Sequence, residues 1–242
     1  MDKMVLYRWL AGHFSPRGLK LHFLALLGIT IALLTVAGVF YAGRNSFSLL
    51  YTQISPLGSH EENPGGWPWF SAAMWFLGAG SIPILNFYRN GLRALSFRAR
   101  GIINVLFTIA IPSIIMIGFI SPNFNILFHR IFAALAFGGF GLGFLVMGIE
   151  HIHRDRKKTG DRPSIRLTAQ FVAFICFIGA CTGSQVYGML VGPYPAESTW
   201  YAWALCEWLL FFSIIAMFML TSMPLLQLVD RNMDQDDLHD AS

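Results

Sequence analysis

The chain has 242 residues, of which 55% are hydrophobic and 12% charged, against about 25% charged in an ordinary soluble domain. Apolar runs account for so much of the length that no stretch between them approaches the roughly 50 residues an independent soluble domain needs. A formal charge of +4 therefore has to be read by where the charges lie, and it gives no nucleic-acid surface.

In chain order, residues 2–14 interleave Met4, Val5, Leu6, Trp9, Leu10 and Phe14 with Lys3 and Arg8. That pattern fits a short interfacial helix ended by Ser15-Pro16, or else a frayed basic leader. Six apolar runs follow, near 21–41, 68–87, 102–120, 130–149, 167–190 and 200–222. Each is about long enough to cross a hydrocarbon core of roughly 30 Å at 1.5 Å per residue. The first exceeds a signal-peptide core and is expected to stay as an uncleaved helix. The expected fold is an all-α integral membrane protein, one six-helix transmembrane bundle over 1–228, with an acidic, disordered tail at 229–242.

Between the first two spans, Ile54-Ser55-Pro56-Leu57-Gly58 and Pro64-Gly65-Gly66-Trp67-Pro68-Trp69 are too rich in Pro and Gly for a helix and point to an ordered turn system or lid. Pro83 and Pro112 fall inside spans two and three and should free the carbonyls of Ala79 and Thr108. Gly139 and Gly143 in span four, and Gly179 and Gly183 in span five, offer small faces for close helix packing, more readily within the chain than between copies.

The basic residues divide sharply. Fifteen of the seventeen fall in the leader, between spans two and three, between spans four and five, or in the tail, leaving Arg44 and Arg130 for the other side. The positive-inside rule then places both termini in the cytoplasm and fits an even number of spans. Arg89, Arg93, Arg154, Arg156, Lys157 and Lys158 form a basic rim that can hold anionic headgroups or simply set topology.

On the opposite side, six of the seven Trp residues (67, 69, 75, 200, 203 and 208) lie in or near the outer ends of spans two and six. An aromatic belt explains most of them, while Trp203 and Trp208 are also candidates to line an outward-facing pocket. Glu207 is the charged residue set deepest in a span, and an acid there is costly unless paired or neutral. His129, Arg130 and Arg44 are its cationic candidates, so the group is either a ligand or proton-handling site or a structural lock between helices. No catalytic or metal-ligand motif emerges. His22, His129, His151 and His153 sit at span ends, and a metal held by His60, Glu61, Glu62, His129 and Glu207 would require the first loop to fold back over the bundle. Cys176, Cys181 and Cys206 read as buried small hydrophobes. All four Lys lie outside the spans, which excludes an intramembrane Schiff base. The sequence implies no cofactor.

Ile54-Ser55-Pro56-Leu57-Gly58 after the first span, His129 opening a span that continues through Ala133-Ala134 and Phe137-Gly138, and Cys206-Glu207-Trp208 in the last span resemble the DRAM/FRAG/SFK family of six-helix membrane proteins and its prokaryotic relatives. Pro56 stands where that family often carries an acid. The resemblance implies the six-helix architecture, a lipid-linked and non-enzymatic role, and attention to His129 and Glu207. The combined expectation is a non-catalytic multi-pass protein that binds lipid or serves as a membrane subunit or scaffold, with an outer-leaflet pocket near Glu207 and His129. Its expected partners are membrane lipids and other membrane subunits. The competing expectations are a lipid-modifying enzyme using that pair as acid and base, and a small transporter, which would call for inverted repeats.

Overall fold

A computed structural model describes residues 3–49, 52–92, 95–159, 179, 204–218 and 221. The predicted span at 167–190 apart from Gly179, together with Trp203, Arg93 and the tail at 229–242, lies outside the described residues.

Six α-helices and one short 3-10 turn are described: α1 (Lys3–Leu10), α2 (Pro16–Ala42), the turn Ser55–Gly58, α3 (Trp67–Gly91), α4 (Phe97–Phe119), α5 (Ile126–Thr159) and α6 (Ala204–Phe218). Local chemistry sets the helix starts. Ser15 accepts the Gly18 N–H at 3.1 Å with Pro16 in the first turn of α2, and Ser96 accepts the Ala99 N–H at 3.3 Å at the start of α4.

Four helices, α2 to α5, are long and apolar enough to cross a membrane, and α6 is a shorter apolar helix. The protein is an integral, multi-pass membrane protein. The outward faces agree with this: Leu21, Leu24 and Val39 on α2, Val105 on α4 and Leu142 on α5 are large, apolar and exposed, which a bilayer accommodates and water does not.

Successive helices pack as neighbours, α2 on α3, α3 on α4 and α4 on α5. α3 is the most enclosed, with 61% of its span buried against 33%, 44% and 39% for α2, α4 and α5. Close approach depends on glycine. A Cβ at Gly143 would lie 2.4 Å from the Phe107 ring, and one at Gly139 would lie 2.9 Å from Leu106 O and from Ala110 Cβ. The small face of α5 is thus used inside the chain, against α4.

α6 runs parallel to α3. Its start meets the first loop through Glu207, and its end meets Tyr88, whose hydroxyl donates to Phe218 O at 3.2 Å and also pairs with Thr221 Oγ1. The bundle therefore has two distinct ends. The loop end comprises residues 43–49, 52–66 and the α4–α5 turn at 120–125; the other end carries α1.

At the α1 end, Asn86 Nδ2 donates to Leu10 O at 2.8 Å and Asn90 Nδ2 to Ala11 O at 3.2 Å, so the amphipathic leader forms a helix docked on α3. The next segments depart from expectation in extent. α2 begins five residues before the predicted span, and α5 continues as helix to Thr159, so Arg154, Arg156, Lys157 and Lys158 belong to a helical extension and not to a loop. Their side chains lie outside the described residues. The departure has a simple cause: hydropathy marks where apolar residues stop, whereas a helix runs on until its backbone meets a terminator.

Candidate functional site

The loop end is built as a polar cover over the bundle. Pro56 fixes the first turn of Ser55–Gly58 and Ile54 O accepts the Leu57 N–H at 3.0 Å, which leaves the preceding donors free of local partners. Glu207 on α6 fills that need. Its Oε2 accepts the Ile54 N–H at 3.1 Å and its Oε1 accepts the Ser55 hydroxyl at 2.8 Å. One residue on, the buried Trp208 ring donates from Nε1 to Thr52 O at 2.8 Å. Two adjacent α6 side chains thus hold the strand of loop at residues 52–55.

The rest of the cover is tied down by Asn63. Fully buried, it donates from Nδ2 to Ala37 O at 3.0 Å and to Leu57 O at 2.9 Å, joining the end of α2 to the 3-10 turn. Gly66 has to lack a side chain, since a Cβ there would sit 2.2 Å from that amide. Asn45 reaches Glu62 O, the His60 N–H reaches Ser121 Oγ, and Asn123 reaches Glu61 Oε2, so the cover also spans the α4–α5 turn. Among the described residues no group of three His, Cys, Asp or Glu is placed to hold a metal ion.

Beneath the cover lies a cavity of about 50 Å³. Its mouth carries Ser55, His129 and Glu207; its walls are apolar, including Met74, Leu77, Ala133, Phe137, Phe211 and Ile214. Along α3 the lining runs from Phe70 to Ile84, about 20 Å at 1.5 Å per residue. Ser81 is the polar group furthest from the mouth, and its hydroxyl is satisfied by Leu77 O at 2.7 Å.

His129 is buried at the start of α5, and its Nδ1 lies 2.7 Å from Ile120 O. A carbonyl can only accept, so Nδ1 carries the proton and Nε2 of the neutral ring is an acceptor. Arg130, the next residue, is exposed. Arg44 is exposed too and lines a separate shallow depression with Val39, Phe40, Gly43, Pro64 and Gly65.

The expected cationic partners of Glu207 are accordingly replaced by backbone and hydroxyl donors of the first loop. Glu207 and His129 line the same cavity, Trp208 anchors the cover, and Arg44 and Arg130 are not among the cavity residues. Arg89, at the opposite end, donates to Thr108 Oγ1 at 3.0 Å and to Asn86 Oδ1 at 3.4 Å. Residue type does not mark Thr52, Ile54 and Ser55 as partners, because two of the three contribute through the backbone. Their one sequence signal is the Ser55-Pro56 step, which starts a turn with unsatisfied N–H groups ahead of it.

No family model, curated protein or solved structure matches this chain.

Proposed function

We propose that this chain is a non-catalytic, six-span membrane protein that holds a lipid chain in the cavity beneath the first loop, as a lipid-binding subunit or scaffold of its membrane. Both termini face the cytoplasm in this reading, on the strength of the basic residues that flank α1, α3, α4 and the end of α5. The loop end then faces outward and the cavity opens in the outer leaflet. The motif resemblance to the DRAM/FRAG/SFK family is consistent with that architecture and with a lipid-linked role.

The observation that carries the proposal is the cavity itself: an apolar lining with Ser55, His129 and Glu207 at the loop end, and with the hydroxyl of Ser81, its other polar residue, satisfied by Leu77 O. That distribution matches an amphiphile more closely than it matches water, an ion or a compact polar solute. Catalysis by Glu207 and His129 has less support, because both Glu207 oxygens already accept from the cover and the protonated nitrogen of His129 already donates to Ile120 O.

The test is mass spectrometry of lipids that remain with the full chain after extraction into lipid nanodiscs. A retained lipid is expected in the native chain and should be lost in Ala133→Phe, which fills the slot from α5. Equal lipid in both would show that retention occurs on the outer surface and would overturn the cavity reading.

A further inference from the structure

The chemistry of the mouth goes further than lipid binding and restricts the head of the ligand; this step rests on the cavity reading above. The polar groups there are acceptors. Glu207 presents a carboxyl whose two oxygens both receive hydrogen bonds, which leaves lone pairs and no committed outward donor. His129 has its Nδ1 proton tied to Ile120 O, so its remaining ring nitrogen accepts. The Ser55 hydroxyl proton is spent on Glu207, and its oxygen accepts as well.

A positive group would be needed to hold a phosphate or a carboxylate here, and none of the described lining residues is Lys or Arg. Arg130 and Arg44, the two cations of the outward side, are not among them. In sequence, residues 167–196, which include the predicted fifth span, contain no Lys or Arg either. An anionic head would meet acceptor oxygens with no cation among the described lining residues to balance it, whereas a hydroxyl or ammonium could donate to them.

From these features we infer that the cavity takes an amphiphile whose head donates hydrogen bonds and carries no negative charge, a class that includes long-chain alcohols, monoacylglycerols and long-chain amines.

The experiment uses the full chain in phosphatidylcholine vesicles and three photoreactive probes with the same chain: hexadecanol, hexadecylamine and hexadecanoic acid, each bearing a mid-chain diazirine. Adducts are read by mass spectrometry on peptides that contain Met74–Leu77 and Phe211–Ile215. Each is normalised to adducts on the exposed α2 residues Leu21 and Leu24, which corrects for how much probe enters the bilayer. The alcohol and the amine should label the cavity peptides at least about tenfold more than the acid, in line with the cost of juxtaposed like charges. Glu207→Gln replaces one acceptor oxygen by an NH2 donor and keeps the other, so it should narrow the gap between acid and alcohol and lower the labelling by the amine.

Acid labelling equal to or above that of the alcohol in the native chain would overturn the head-group inference while leaving a lipid-binding cavity. Absence of cavity labelling by all three probes, or labelling unchanged in Ala133→Phe, would overturn the lipid reading itself. The native-chain ratio decides the inference even if Glu207→Gln does not fold.

Discussion

The two ends of the bundle are held together by different physics. At the loop end, side chains bind backbone: Glu207 to Ile54 N–H, Trp208 to Thr52 O, Asn63 to Ala37 O and Leu57 O. Toward the α1 end, the rings of Tyr88, Phe107, Phe140, Phe144 and Phe218 pack against one another, with Phe218 centred 5.0 Å from both Phe140 and Phe144. The contrast follows from what each region contains. Irregular backbone near a bilayer carries N–H and C=O groups that must be satisfied, and directional bonds do that. Regular helices satisfy their own backbone, so only packing remains to join them, and there the fit of rings into glycine gaps decides. The cavity lies between the two regimes, closed by rings at one end and covered by a hydrogen-bonded loop at the other. In such an arrangement the polar cover is the part that can open without unpacking the bundle.

The largest effect should come from the ring cluster. Phe107→Ala removes a fully buried ring that touches α5, α6 and Tyr88, and truncations of that kind cost about 3–5 kcal/mol. Denaturant titration in mixed micelles measures it, and amide exchange should rise along α4 to α6 while residues 52–66 change least. Uniform exchange over the whole chain would mean that the ends form one cooperative unit, and the comparison would fail.

Glu207→Leu should come next. It leaves the Ile54 N–H and the Ser55 hydroxyl without their acceptor, at a cost of about 1–3 kcal/mol. The signature is local: proteolysis and amide exchange should increase within residues 52–66 with little change around Phe107. A global loss of helix would instead make Glu207 a core lock of the bundle. Trp208→Phe is a finer probe of the same contact. It keeps most of the ring and deletes the Nε1 bond to Thr52 O, so a loss of about 1 kcal/mol is expected, visible as faster exchange in the loop and unchanged burial of α6.

How much of this could be read from the sequence differs between the same two ends. Four of the apolar runs coincide with helices long enough to cross a membrane, and Gly139 and Gly143 do pack within the chain, because hydropathy and residue size are written in the side chains. That Glu207 needs polar partners also follows from its type and position. Its partners do not, since the Ile54 N–H is a donor that every residue other than proline possesses and nothing in its letter marks it as unpaired. Tryptophan shows the same limit. Trp69 and Trp75 are 43% and 38% exposed, as a lipid-facing belt requires, whereas Trp208 is 6% exposed and anchors the loop. All three sit in apolar runs, and only the direction of the helix face separates them. His22 likewise has the sequence position of a span-end residue, yet its Nε2 donates to Gly80 O at 2.8 Å, one residue beyond the Ala79 carbonyl that Pro83 leaves without its helical donor.

The smallest effect separates protein docking from bilayer docking at α1. Asn86→Ala deletes the bond to Leu10 O and keeps the one from Asn90 to Ala11 O, so a loss of about 0.5–1 kcal/mol is expected. α1 has a second hold. Met4, Leu6, Tyr7 and Leu10 are exposed apolar side chains on a helix that also carries Lys3 and Arg8, a composition that suits the headgroup boundary. If the bilayer keeps α1 in place, amide exchange across residues 4–11 should rise in Asn86→Ala in detergent micelles and stay near the native level in nanodiscs with anionic lipid. An equal rise in both would assign α1 to α3 alone. Its attachment would then resemble that of the polar cover at the opposite end, side chain to backbone carbonyl, and the division between a hydrogen-bonded end and a packed end would have to be redrawn with directional bonds closing the bundle on both sides and the rings confined to its middle.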